Sequence, residues 1–101
     1  MKDEDFKAFV LDQLGDLDDL HARAMFGGYG IYKGESFFAV IFDGRLYFKT
    51  NAITRQPYLR RAMEPFRPRA GQELGSYYEV PIDIIEDPAQ LAAWARAASQ
   101  V

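Results

Sequence analysis

Apolar positions open the chain at helical spacing: Phe6, Phe9, Val10 and Leu14 form one stripe, with Lys7 and Asp12 pointing away from it. Asp3 can cap this first helix, and Glu4 and Asp5 fall in its first turn, where the helix dipole favours negative charge. Gly15 is a stop, and residues 16–19 read as a connection. From about Ala22 the pattern becomes extended, and residues 25–49 predict three consecutive strands joined by tight turns at Lys33-Gly34 and Asp43-Gly44. Gly27, Gly28 and Gly30 weaken a strand, so they imply a bulge, a bend, or close approach by another backbone or a ligand. Alternation puts Phe37, Ala39 and Ile41 on one face of the second strand and Phe38, Val40 and Phe42 on the other. With both faces apolar, that strand is either central and covered twice, or one of its faces meets a partner. In the third strand Leu46 and Phe48 oppose Arg45, Tyr47 and Lys49.

A short helix follows, capped at Asn51 or at Thr54. Thr54 is preferred because it places Pro57 in the first turn, where a missing N–H costs nothing. Tyr58, Leu59 and Ala62 supply its inner face, Arg55, Arg60 and Arg61 point outward, and Glu64-Pro65 ends it. Residues 66–69 and 76–80 read as a second hairpin around a loop at 70–75, closed by Pro81, and residues 82–86 as an irregular turn. Asp87 caps the last helix, Pro88 takes its first position and Gln90 can complete a capping box. Leu91, Trp94, Ala95 and Ala98 form its inner face, with Trp94 as anchor. The order helix, three strands, helix, two strands, helix predicts a single α+β domain over residues 1–101, two-layered, with a mostly antiparallel sheet.

Composition supports one ordinary core: 101 residues, 49% of them hydrophobic and 15% aromatic. There is no cysteine, which excludes disulfides and thiolate metal sites and makes the cytoplasm the expected compartment. No apolar run approaches the roughly 20 residues of a membrane span, and the acidic start is unlike a signal peptide. The net charge of -3 hides blocks: residues 1–20 carry -5, residues 45–69 carry +6 and residues 70–101 carry -4. Such blocks can pair within the fold or between protomers, or steer an acidic partner to the middle segment.

Candidate chemistry is sparse. His21 is the only histidine, Ser36 has no activating neighbour in sequence, and the carboxylate pairs Asp18-Asp19 and Glu86-Asp87 read as a loop and a helix cap. No catalytic, cofactor-binding or metal-binding residue is therefore expected. Tyr29, Tyr32, Tyr47, Tyr77 and Tyr78 fall on predicted strands near Lys49, Arg67 and Arg69, an interleaving that suits a protein partner or single-stranded nucleic acid. A pI of about 5.0 disfavours nucleic acid, leaving protein contact and homodimerisation as the leading expectation. The candidate surface comprises Gly27, Gly28, Tyr29, Tyr32, Phe38, Tyr47, Lys49, Arg55, Arg60 and Arg61. The rival reading has the glycines and arginines holding a small anion or nucleotide, although a phosphate cradle opens a helix and here Ile31 and Tyr32 continue a strand.

Met25-Phe26-Gly27-Gly28-Tyr29-Gly30, Leu46-Tyr47-Phe48-Lys49, Pro65-Phe66, Tyr77-Tyr78-Glu79-Val80-Pro81, and Glu86-Asp87 followed by Leu91 and Trp94-Ala95 together resemble the N-terminal domain of the TfoX (Sxy) family. The resemblance spans nearly the whole chain in order. It implies a two-layer α+β fold of the secretion-chaperone-like type and a regulatory role; the best-known members promote natural-competence genes alongside the cyclic-AMP receptor protein. It brings no catalytic residues. Regulators of this kind add a helical C-terminal domain, whereas this chain stops at Val101, as either a stand-alone member or one piece of a longer regulator. What carries over is the fold and a capacity to bind a partner.

Overall fold

Phe6, Val10 and Leu14 are buried, and this stripe seats α1 (Asp3–Gln13) against a wholly antiparallel sheet. The computed structural model describes residues 3–25, 27–67 and 74–101. Six strands, β1 (Leu20–Met25), β2 (Gly28–Lys33), β3 (Ser36–Phe42), β4 (Arg45–Lys49), β5 (Pro65–Phe66) and β6 (Leu74–Glu79), lie in the order β1-β2-β3-β4-β6-β5. The helices α2 (Gln56–Arg60), α3 (Ile82–Ile85) and α4 (Pro88–Ser99) share the face of α1. Their buried residues Tyr58, Ile84, Ile85, Leu91, Ala92, Ala95 and Ala98 fall in one cluster with Ile31, Phe38, Ile41, Leu46 and Phe48 of the sheet. This is the expected α+β two-layer domain, with one strand and one short helix more. The first predicted strand is a hairpin of β1 and β2, and residues 82–86 close one helical turn through Ile85 N–H to Pro81 O and Glu86 N–H to Ile82 O.

The glycines explain the extra strand. Gly27 has φ of 82° and turns the chain, so that Met25 pairs with Gly28. At Gly28 an added Cβ would lie 2.1 Å from the Ile41 carbonyl oxygen, so the close approach expected there is made by the chain's own backbone. Asp43 and Gly44 both have positive φ, as their hairpin turn requires. The other tight turn is Gly34-Glu35, one residue later than expected, with Lys33 paired to Ser36.

Strict alternation fails in β3. Ile31 pairs with Ala39 and Tyr32 with Phe37, leaving Phe38 as the extra residue of a β-bulge. The bulge moves Phe37 to the face of Val40 and Phe42, and drops Phe38 among the helices beside Ala39, Ile41 and Phe48. Phe38 is 0% exposed, so its assignment to a partner surface is corrected: it is core, because one inserted residue reverses which face a side chain occupies.

Other expectations change for local reasons. Asn51 and Thr54 cap one turn together: the Asn51 carboxamide oxygen accepts from the N–H groups of Ile53 and Thr54, and the Thr54 hydroxyl accepts from Asn51 N–H. That turn leads into α2, where only Tyr58 faces inward; Leu59 is 48% exposed and Ala62 takes φ of 57° after the helix end. Phe9 is 44% exposed, on the outer flank of α1. Trp94 is only partly buried, and small residues, Ala92, Ala95 and Ala98, bring α4 close to the sheet instead. Phe26, residues 68 and 69 of the expected strand and residues 70–73 of the expected loop lie outside the described residues; Arg67 is past the end of β5, and Leu74 and Gly75 belong to β6 rather than to the loop, which was expected to run to residue 75.

Candidate functional site

The sheet face opposite the helices is built from strand residues. Val40, Tyr47, Phe66 and Tyr77 are buried there, with Phe37 and Phe42 packed beside them. Phe66 reaches across from β5, its ring 4.7 Å from that of Tyr47 and 5.5 Å from that of Phe42, centroid to centroid. Burial pushes the Tyr47 and Tyr77 hydroxyls above the usual tyrosine range, with Glu79 adding to the effect at Tyr47. From this patch an aromatic strip runs to β1, the last strand of the sheet among the described residues. Tyr77 lies 5.5 Å from Phe37, Phe37 lies 5.1 Å from Tyr32, and Tyr32 stacks on His21 at 5.4 Å with parallel planes. The Arg23 guanidinium stands 5.4 Å from the Tyr32 ring centroid. Gly30 makes room for this layer, since Met25 and Phe37 occupy the space a Cβ would take.

A second feature lies on the helical side. Ile53, Thr54, Pro57 and Tyr58 face Ala93, Trp94, Ala97 and Ala98 of α4 across a groove of about 230 Å³, with Lys49 at its end. Ile53 is 81% exposed at its rim. The ring of Tyr58 meets that of Trp94 edge to face at 4.8 Å and forms the floor. Arg55 donates from Nε to the Thr50 hydroxyl at 3.0 Å and lies over the Tyr78 ring, while Arg61 pairs with Asp83 at 2.7 Å and stands 5.8 Å from Trp94.

The candidate residues therefore separate into four places. Tyr32 and Tyr47 lie on the aromatic face; Lys49 lines the α2–α4 groove, with Arg61 beside its Trp94 and Arg55 and Arg60 at the two ends of α2; Phe38 is in the core. Gly27, Gly28 and Tyr29 line a shallow depression with Asp3, Glu4, Ala24 and Met25, at the end of the sheet opposite Lys49. Glycines and arginines are thus not brought together, and the charged residues that line the depression with Gly27 and Gly28 are the carboxylates Asp3 and Glu4. Lys7 Nζ sits 4.5 Å from the Tyr29 ring centroid. Among the described residues no group of three or more His, Asp or Glu is placed to hold a metal ion, and no helix is long and apolar enough to cross a membrane. The groove was not foreseen; its sequence signal is Ile53, an apolar residue out of register with any helical stripe, set against Ala93 and Ala97 on the outer side of α4.

A comparison with curated proteins gave no match. The family model described as the TfoX N-terminal domain matches residues 12–101, which take in β1 to β6, α2 to α4 and both surfaces described above. The residues that carry the resemblance in sequence are those that build the glycine turn, the aromatic face and the α4 cap, and the chain belongs to the TfoX N-terminal domain family.

Proposed function

We propose that this is a regulator-like domain of the cytoplasm that works through protein contact, without catalysis or cofactor of its own, and that it self-associates as a homodimer. The observation that carries the reading is the strip of rings His21, Tyr32 and Phe37, running out from buried Tyr77, on the sheet face that bears no helix among the described residues. Tyrosine and histidine present an apolar ring with a polar tip, which suits a surface that is wet when free and dry when docked. Membership of a family whose resemblance implies regulation points the same way.

The test is a photo-reactive amino acid placed at Tyr32, with Ala89 on the outside of α4 as control position, irradiated in the native cytosol. A discrete protein adduct from position 32 and none from position 89 is expected. Crosslinking to nucleic acid at position 32, with retention that falls steeply with salt, would replace protein contact by direct nucleic-acid binding. The anion reading predicts a rise in melting temperature with millimolar nucleotides or phosphate, and the proposal expects none.

A further inference from the structure

The α2–α4 groove is apolar with a lysine in its lining, and the outer flank of α1 carries carboxylates beside an exposed ring. Arg60 is exposed on α2, Arg55 lies over the Tyr78 ring next to Tyr58, Arg61 stands 5.8 Å from Trp94 and pairs with Asp83, and Lys49 lines the groove. Its walls are almost entirely carbon, from Ile53, Pro57, Tyr58, Ala93, Trp94 and Ala97. A cavity of about 150 Å³ accepts a benzene ring, so about 230 Å³ has room for one phenyl side chain. The exposed flank of α1 is Glu4, Asp5, Ala8, Phe9 and Asp12. On it Phe9, a ring left 44% exposed, has Asp5 one turn before it and Asp12 one turn after it. Phe9 takes no part in lining the groove of its own chain.

We propose that a second copy of this chain fills the groove: Phe9 of one copy seats between α2 and α4 of the other, and Asp5 and Asp12 meet Lys49, Arg55 and Arg60. The inference rests on the self-association in the proposed function and names the surface that makes it. Two such contacts made reciprocally close a dimer and leave the aromatic sheet face open to a different partner. The opposed charges of residues 1–20 and 45–69 then meet between protomers. Phe9 and Asp5 precede the residues matched by the family model, so the contact joins a segment outside the match to a groove within it.

The experiment is sedimentation of the full chain over a concentration series, with the emission of the single tryptophan, Trp94, as a reporter of groove occupancy. Self-association is expected, with a shift of Trp94 emission that tracks it. Phe9→Asp and Ala97→Phe, both at exposed positions, are each expected to weaken the dimer at least about 30-fold with the fold retained. An equimolar mixture of the two is expected to recover association, because one key and one groove remain intact. Asp5→Lys with Asp12→Lys is expected to weaken the dimer, and adding Lys49→Glu and Arg60→Glu to restore it by charge exchange. A chain that stays monomeric at millimolar concentration would overturn both this inference and the self-association it rests on. A dimer unchanged by Phe9→Asp would overturn this inference alone, as would a groove that takes an acidic amphipathic peptide while the chain remains associated.

Discussion

Tyr58 shows how a single buried hydroxyl sets a pH limit. Burial raises its pKa above the ordinary 10.0, so the protonated group contributes stability that is fully present below pH 10.0 and lost as pH rises through the raised value. Tyr58→Phe is expected to flatten the alkaline limb of a melting-temperature profile while leaving the neutral plateau nearly unchanged. Gly28 is constrained differently: its missing Cβ is the room that the Ile41 carbonyl needs, and no side chain at that contact can swing aside. Gly28→Ala is therefore expected to cost about 1–3 kcal/mol in urea unfolding. The need for glycine there was legible in the sequence, but which neighbour required it was not, because Ile41 comes alongside only once β2 and β3 pair.

Among the elements, β3 is the one in which sequence reasoning met its limit. Its seven residues offer apolar side chains at every position after Ser36, so alternation had no polar residue with which to fix the register, and the bulge at Phe38 left no trace. Phe38→Ala is expected to cost about 3–5 kcal/mol, and Phe37→Ala distinctly less, since Phe37 is only partly buried on the opposite face; two denaturation curves decide it. Unbulged alternation would predict the two residues on opposite faces from those assigned. At the far end of the chain the start of α4 was legible because its signals are local. Asp87 accepts from Gln90 N–H at 3.2 Å and from the Gln90 side-chain amide at 2.9 Å, a variant of the expected box in which both bonds end on the carboxylate. These bonds hold the Asp87 pKa below its usual value, so the cap's contribution is present above the unfolded pKa and lost as pH falls through the lower folded one. Asp87→Ala is expected to lower thermal stability at neutral pH and to lose its difference from the parent chain in strong acid. Trp94, by contrast, lines the groove, so Trp94→Ala should cost less than the roughly 3–5 kcal/mol of a fully buried aromatic.

At the scale of the whole molecule, two layers leave one sheet face without a helix among the described residues, and the aromatic strip on it is the feature that composition foretold most directly. Tyrosines on strands were visible in the sequence; that His21, Tyr32, Phe37 and Tyr77 line up from β1 to β6 required the register of four strand pairings. The charge blocks were equally plain, while their surroundings were not, since Lys49 comes to α4 only through the sheet order. Long-range polar contacts tie these parts together: Gln13 donates to Ile85 O at 2.9 Å, Ser36 to Ser99 O at 3.0 Å, and the Asp3 carboxylate accepts from Asp43 N–H at 3.1 Å and Gly44 N–H at 2.7 Å. Asp3→Ala is expected to speed hydrogen exchange at Asp43 and Gly44 and to loosen the start of α1 with them. The same latch bears on synthesis. As the chain leaves the ribosome α1 emerges before the sheet it packs on, and the turn that clasps its leading end is translated some 40 residues later. That helix is therefore left waiting, its oily stripe in need of shelter, until the hairpin of β3 and β4 has cleared the exit tunnel.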